Sequence, residues 1–153
     1  MKKLPNCGIY RTSQQIGSIP AQQLVYFHNH GNPGPGLYLP QNWKNNQVQF
    51  SSKGMTLTPL ELANTLEPLK AQGLYRIAQG FHCCEQKCVY FEANQLVQLG
   101  YNRSAQAILF LPFWRDTELQ FPTKGTHIDT LNLQFLEPLQ VQSDAKVEHE
   151  ILH

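Results

Sequence analysis

Two stretches decide how this chain is read: Gln23–Pro40, QLVYFHNHGNPGPGLYLP, and Gln95–Pro112, QLVQLGYNRSAQAILFLP. They align without a gap over 18 columns and are identical at six of them. Each reads as a hairpin. Leu24 to His30 is long enough for a strand, and Leu37 to Leu39 returns after Gly31-Asn32-Pro33-Gly34-Pro35-Gly36. That run is a loop, because proline removes ladder donors and glycine admits positive φ. The second stretch repeats the plan with Leu96 to Tyr101, a turn at Asn102-Arg103-Ser104-Ala105, and Ala107 to Leu111.

Period-two alternation assigns the faces. Val25, Phe27, Leu37 and Leu39 match Val97, Leu99, Leu109 and Leu111, and these eight are expected in the core. Tyr26 and His28 match Gln98 and Gly100, so the opposite face is not held apolar and is expected to meet solvent or a partner.

Three shorter blocks recur in the same order around the hairpins: Gly8-Ile9-Tyr10-Arg11 with Gly73-Leu74-Tyr75-Arg76, Phe50-x-x-Lys53-Gly54 with Phe121-x-x-Lys124-Gly125, and Leu66-Glu67-Pro68-Leu69 with Leu136-Glu137-Pro138-Leu139. Shared order implies internal duplication of a unit of about 65 to 70 residues. The expected fold is mainly all-β: two tandem copies of a small, barrel-like unit of four or five short strands, packed about a pseudo-two-fold axis. The first copy spans residues 4–70, the second 71–141 with a Cys-rich insertion at 81–88, and 142–153 form a polar, frayed tail. Val48 to Phe50 and Leu119 to Phe121 are third strands expected to end at Lys-Gly turns. One short helix is expected near 59–65, from Thr58 as cap, Pro59 at the first helical position and Glu61. The matching stretch Asp129 to Phe135 is open between helix and strand, since Leu131, Leu133 and Phe135 alternate.

Composition agrees with this plan and excludes several function classes. Ten Gly and ten Pro suit many tight turns, and only 15% of the 153 residues are charged. The net charge is +1, and the twelve Lys and Arg are scattered, which argues against nucleic acid, whose recognition needs clustered cations. No run approaches the roughly 18 apolar residues of a membrane span, and no apolar run follows Lys2 and Lys3 as in a signal peptide. A cytoplasmic location follows by default, where cysteines are thiols or metal ligands. Phosphate-loop, dinucleotide and nucleophile-elbow motifs do not occur.

Two clusters stand out. Phe81-His82-Cys83-Cys84-Glu85-Gln86-Lys87-Cys88 holds three of the four cysteines and a histidine. Thiolate and imidazole suit zinc, with His82, Cys83, Cys84 and Cys88 as ligands and Cys7 as a distant addition, although four ligands from one short segment are cramped. A Cys84–Cys88 thiol pair tuned by Lys87 or His82, or simple burial of small thiols, are the other readings. The second cluster is Tyr26-Phe27-His28-Asn29-His30. His28 and His30 share one strand face and would serve a metal or a proton shuttle given a third ligand, which the return strand lacks. With Tyr26, Tyr38 and Trp43 they would instead form an aromatic protein-binding surface on the first unit only. The leading expectation is a non-enzymatic protein-binding or adaptor protein needing no cofactor. The alternative is a small zinc- or thiol-dependent protein built on the 81–88 cluster. An enzyme with a site between the copies comes third.

Overall fold

The computed structural model describes residues 3–31 and 34–140. The chain is mainly β, with two five-stranded antiparallel sheets and two small hairpins. The first sheet contains β1 (Gly8–Arg11), β2 (Leu24–His28), β3 (Gly36–Lys44), β4 (Gln47–Thr56) and β5 (Glu67–Pro68), in the order β4-β3-β2-β1-β5. The second half has β6 (Gly73–Ile77), β7 (Phe81–His82), β8 (Tyr90–Phe91), β9 (Leu96–Tyr101), β10 (Ala107–Phe110), β11 (Phe113–Arg115), β12 (Glu118–Gln120), β13 (Thr126–His127) and β14 (Leu136–Pro138). Its main sheet has the order β13-β10-β9-β6-β14, while β7-β8 and β11-β12 pair separately. Both main sheets are open rather than closed barrels. At one edge of each, β5 and β14 end at Pro68 and Pro138, which have no N–H to carry a ladder onward; β4 and β13 form the other edges.

The inner ladders of the two sheets are registered alike, although β4 and β13 differ in length. Tyr10 pairs with Val25 and with Pro68, and Tyr75 pairs with Val97 and with Pro138. Phe27 faces Leu37, and Leu99 faces Leu109. Tyr10 and Tyr75 each donate their hydroxyl to the carbonyl four residues earlier, of Asn6 and Ala71. Arg11 pairs with Glu67, and Arg76 with Glu137. The bonds Leu69 N–H to Ile9 O and Leu139 N–H to Leu74 O also correspond, at 3.2 Å each.

The core follows the alternation with one exception. Val25, Phe27, Leu37, Val97, Leu99 and Leu109 are buried, and Leu111 packs half-buried against the second core. Leu39 is turned outward, 40% exposed. The register of β3 on β4 shifts between Tyr38 and Pro40, and the bulge reverses the facing of Leu39. The Lys53-Gly54 pair is not a turn. β4 runs through it, because Gly54 lets the Tyr38 ring lie flat on the backbone: a Cβ there would come within 2.6 Å of the ring.

The expected helix forms as a 3-10 helix, Leu60–Thr65, without a side-chain cap bond. A second 3-10 helix, Thr130–Phe135, resolves the ambiguous stretch. It is anchored from outside: the Asn132 amide donates to the carbonyls of His82 and Cys83 at 2.9 and 3.2 Å. Those tertiary bonds override the alternating pattern. The expected tail, 142–153, lies outside the described residues.

The halves meet through the tip of the β3–β4 hairpin. Asn45 and Asn46 form its turn, with φ of 53° and 65°, as two-residue hairpins favour. Trp43 donates its indole N–H to Tyr101 O at 2.8 Å, with the Arg103 guanidinium over its ring. The Asn46 amide reaches Gln98 Oε1 and Pro122 O, and the Gln98 amide returns to Asn45 O. Asn46 O comes so close to Gly100 that a Cβ there would lie 2.6 Å from it. The outer face of β9 is therefore covered. A two-fold axis would repeat every contact in reverse; among the described residues β12 makes no comparable approach to β2.

Candidate functional site

β2 alternates Leu24, Val25 and Phe27 into the fold with Tyr26 and His28 outward, so the first sheet has an uncovered outer face. Cross-strand pairing sets Tyr26 opposite Tyr38, their rings 6.4 Å apart. Tyr26 also meets Phe50 at 5.7 Å, and His28 meets Tyr38 at 6.5 Å. Tyr26, His28 and Tyr38 thus share one half-exposed aromatic surface, as expected from sequence. His30 extends it: its ring lies 4.0 Å from that of His28. Trp43 does not join this face; it sits at the far end of β3, against Tyr101 and Arg103.

Beside the two imidazoles stands Cys7. The register that sets Gly8 against Phe27 carries Cys7 to the level of His28. Its sulfur lies 3.8 Å from His28 Nδ1 and 3.7 Å from His30 Nδ1. One donor atom from each of the three residues falls within 4.8 Å of the others. Asn29 braces the group. Its backbone N–H donates to Cys7 Sγ at 3.3 Å, its Oδ1 lies 3.2 Å from that sulfur and 2.8 Å from His30 Nδ1, and its amide donates to Pro5 O at 3.0 Å. One thiol and two imidazoles converging like this form a donor set for a borderline-soft transition ion. The third donor atom beside the histidine pair comes from the residue before β1, not from the return strand.

The 81–88 segment is organised differently. Cys83 is buried in the second core, where its sulfur accepts Val89 N–H at 3.3 Å. Cys84 lies beside it, the two sulfurs 3.5 Å apart, while Cys88 is exposed. The His82 ring packs at a tilt against Tyr90, ring centres 4.9 Å apart. Four residues within seven positions of sequence therefore point to core, rim and solvent. The hydrogen bond from the Cys83 thiol and the backbone N–H of Gln86 hold the Cys84 thiol below the usual range. Charge at Cys84 then pushes Cys88 up. All four cysteines of the chain are free thiols.

The structure also aligns a pair of hairpins absent from the sequence expectations. Trp43 to Phe50, WKNNQVQF, corresponds to Trp114 to Phe121, WRDTELQF. Lys44 pairs with Gln47 across one turn, and Arg115 with Glu118 across the other. The first hairpin is docked, whereas in the second Trp114 is 71% exposed, with Phe113 and Leu119 also on the surface.

Among the described residues no helix is long and apolar enough to cross a membrane. Compared with protein-family models, with curated proteins and with solved structures, the chain finds no match in any of the three.

Proposed function

We propose that this is a non-enzymatic binding protein, two copies of one β unit, that joins chains by seating a hairpin of one unit on the outer sheet face of another. The partner is a second copy of the same chain. The observation that carries this reading is the unequal use of equivalent surfaces. Within the chain, the Trp43 hairpin covers the outer face of β9 at Gln98 and Gly100. The corresponding hairpin at Trp114 and the corresponding face at Tyr26 and His28 remain open.

A contact of this kind is heterologous, one surface meeting a different one, so each added copy presents both surfaces again. The chemistry of the open pair fits. The free hairpin carries Asp116 and Glu118 where the docked one has Asn45 and Gln47, and the open face carries His28 and His30 where the covered one has Gly100 and Asn102. An acidic turn thus meets imidazoles. His28 also stands where Gly100 admits the Asn46 carbonyl, so the incoming turn rests on a side chain instead of bare backbone. Aromatic anchors such as Trp114 and Tyr26 are the residue types that carry interface energy.

Sedimentation equilibrium over a concentration series tests the reading. Wild type is expected to form species beyond the dimer. Trp114→Ala and Tyr26→Ala are each expected to be monomeric alone, yet to form a one-to-one dimer when mixed, since each retains one intact surface. Wild type that stays monomeric into the high micromolar range, or variants that associate as wild type does, would overturn it.

A further inference from the structure

We infer that Cys7, His28 and His30 form a metal site that takes one zinc-class ion, with the fourth position left to water or an exchangeable ligand. The site shares His28 and His30 with the face proposed to receive a second copy, but binding of the ion needs only one chain.

Two edges of the donor triangle approach those of a tetrahedral site, and all three donors lie within 4.8 Å of one another. With Zn–S near 2.3 Å and Zn–N near 2.0–2.1 Å, a tetrahedral S···N edge is about 3.5 Å. The two sulfur-to-nitrogen separations are 3.8 and 3.7 Å, so coordination draws the donors inward by a few tenths of an ångström. The fold supplies this in two ways. The bend that follows β2 sets the His30 ring 4.0 Å from that of His28, and the β1–β2 ladder brings Cys7 level with His28. The bond from Asn29 N–H to Cys7 Sγ is the outer-sphere contact that orients a metal-bound thiolate. Asn29 Oδ1, lodged between Cys7 and His30, is the group a bound ion would displace from their donor atoms.

The second half provides a built-in comparison. At the positions of Cys7, His28 and His30 it has Gln72, Gly100 and Asn102, and no thiol or imidazole among them. Gln72 instead binds the backbone of Val48. The donor set thus belongs to the half whose outer face is open. One thiolate and two neutral imidazoles leave a bound Zn²⁺ with a net positive charge, suited to an anionic or polar fourth ligand. His28 and His30 also line a cavity of about 360 Å³ with Tyr38 and Thr56.

The test uses Co²⁺ as a spectroscopic probe on reduced, chelator-treated, full-length protein, with Zn²⁺ as competitor. One equivalent is expected to bind with a sulfur-to-cobalt charge-transfer band, and Zn²⁺ should abolish that band stoichiometrically. Cys7→Ser should lose the band. His30→Ala, at an exposed position, should weaken binding at least tenfold with an unchanged far-ultraviolet circular dichroism spectrum. A Cys84→Ser/Cys88→Ser double variant should titrate like wild type. Failure of wild type to bind one equivalent at micromolar concentration would overturn the site. So would a band that survives Cys7→Ser and vanishes in the double variant, which would place the ion at the 81–88 segment.

Discussion

The side chain of Gln72 holds the backbone of Val48 in both directions, accepting its N–H at 2.9 Å and donating to its carbonyl at 3.0 Å. A side-chain amide thereby takes the place of a neighbouring strand where β4 of the first half runs beside the second. Val48 is buried within the second core, so neither backbone group has water as a substitute. Gln72→Ala is expected to destabilise the protein by about 1–3 kcal/mol, the cost of stranding buried polar groups. Urea unfolding checks this, and Gln72→Asn, too short to reach both groups, should not restore the loss.

Gly100 is the seat of the docked hairpin. A methyl group there would meet Asn46 O at 2.6 Å, a backbone atom that moves only if the whole turn moves. Gly100→Ala is expected to cost about 1–3 kcal/mol as an overpacking change. It should also weaken the Trp43–Tyr101 bond, readable as a red shift and increased quenching of indole fluorescence against a Trp114→Phe background.

The buried phenols predict alkaline lability. Burial pushes the Tyr75 hydroxyl up, and burial with the neighbouring Tyr75 pushes that of Tyr101 up further. In the unfolded chain these groups ionise near pH 10. Above that pH the unfolded state has released protons that the folded state still holds, so stability falls as pH rises and is flat below it. Tyr101→Phe should make the fall shallower. At neutral pH it should cost about 1 kcal/mol, because the carbonyl of Lys70 loses its donor.

Thiol reactivity should be ordered within the 81–88 segment. The Cys84 thiol is pushed down by its hydrogen bonds from Cys83 and Gln86, and Cys88 is pushed up by charge at Cys84. Only the thiolate reacts with an alkylating agent. Iodoacetamide mapping by mass spectrometry should find Cys84 modified ahead of Cys88, the ratio widening as pH is lowered. In Cys84→Ser the rate at Cys88 should rise, since the charge that raises its pKa is gone.

Much of the fold was legible because alternation is local. Val25, Phe27, Val97 and Leu99 declare their facing in four residues of sequence, and the burial agrees. Leu39 misled because a bulge is set by pairing with β4, which its own strand does not reveal. The second 3-10 helix was ambiguous for the same reason: Asn132 is held by carbonyls some fifty residues away in sequence. Of the Trp43 and Trp114 hairpins only the returning strands, Val48 to Phe50 and Leu119 to Phe121, were legible, because the leading strands sit past a one-residue slip from the 18-column alignment.

Of the candidate sites, the Tyr26, His28 and Tyr38 face was readable from strand period, and Cys7 was not. Its place beside His28 depends on how β1 is registered on β2, a pairing across 21 residues of chain. Setting Gly8-Ile9-Tyr10-Arg11 antiparallel to Leu24-Val25-Tyr26-Phe27 would have revealed it. The 81–88 cluster shows the converse. Cys83 and Cys88 are near in sequence, but one packs into the core and the other faces solvent.

Pro68 and Pro138 lie on one of the two margins of each sheet. A sheet grows from chain to chain only where its margin offers an unbroken row of amide donors, and proline interrupts that row. On that margin the molecule is a poor template for cross-β accretion. Along that margin a second copy would meet side chains rather than a pairing backbone.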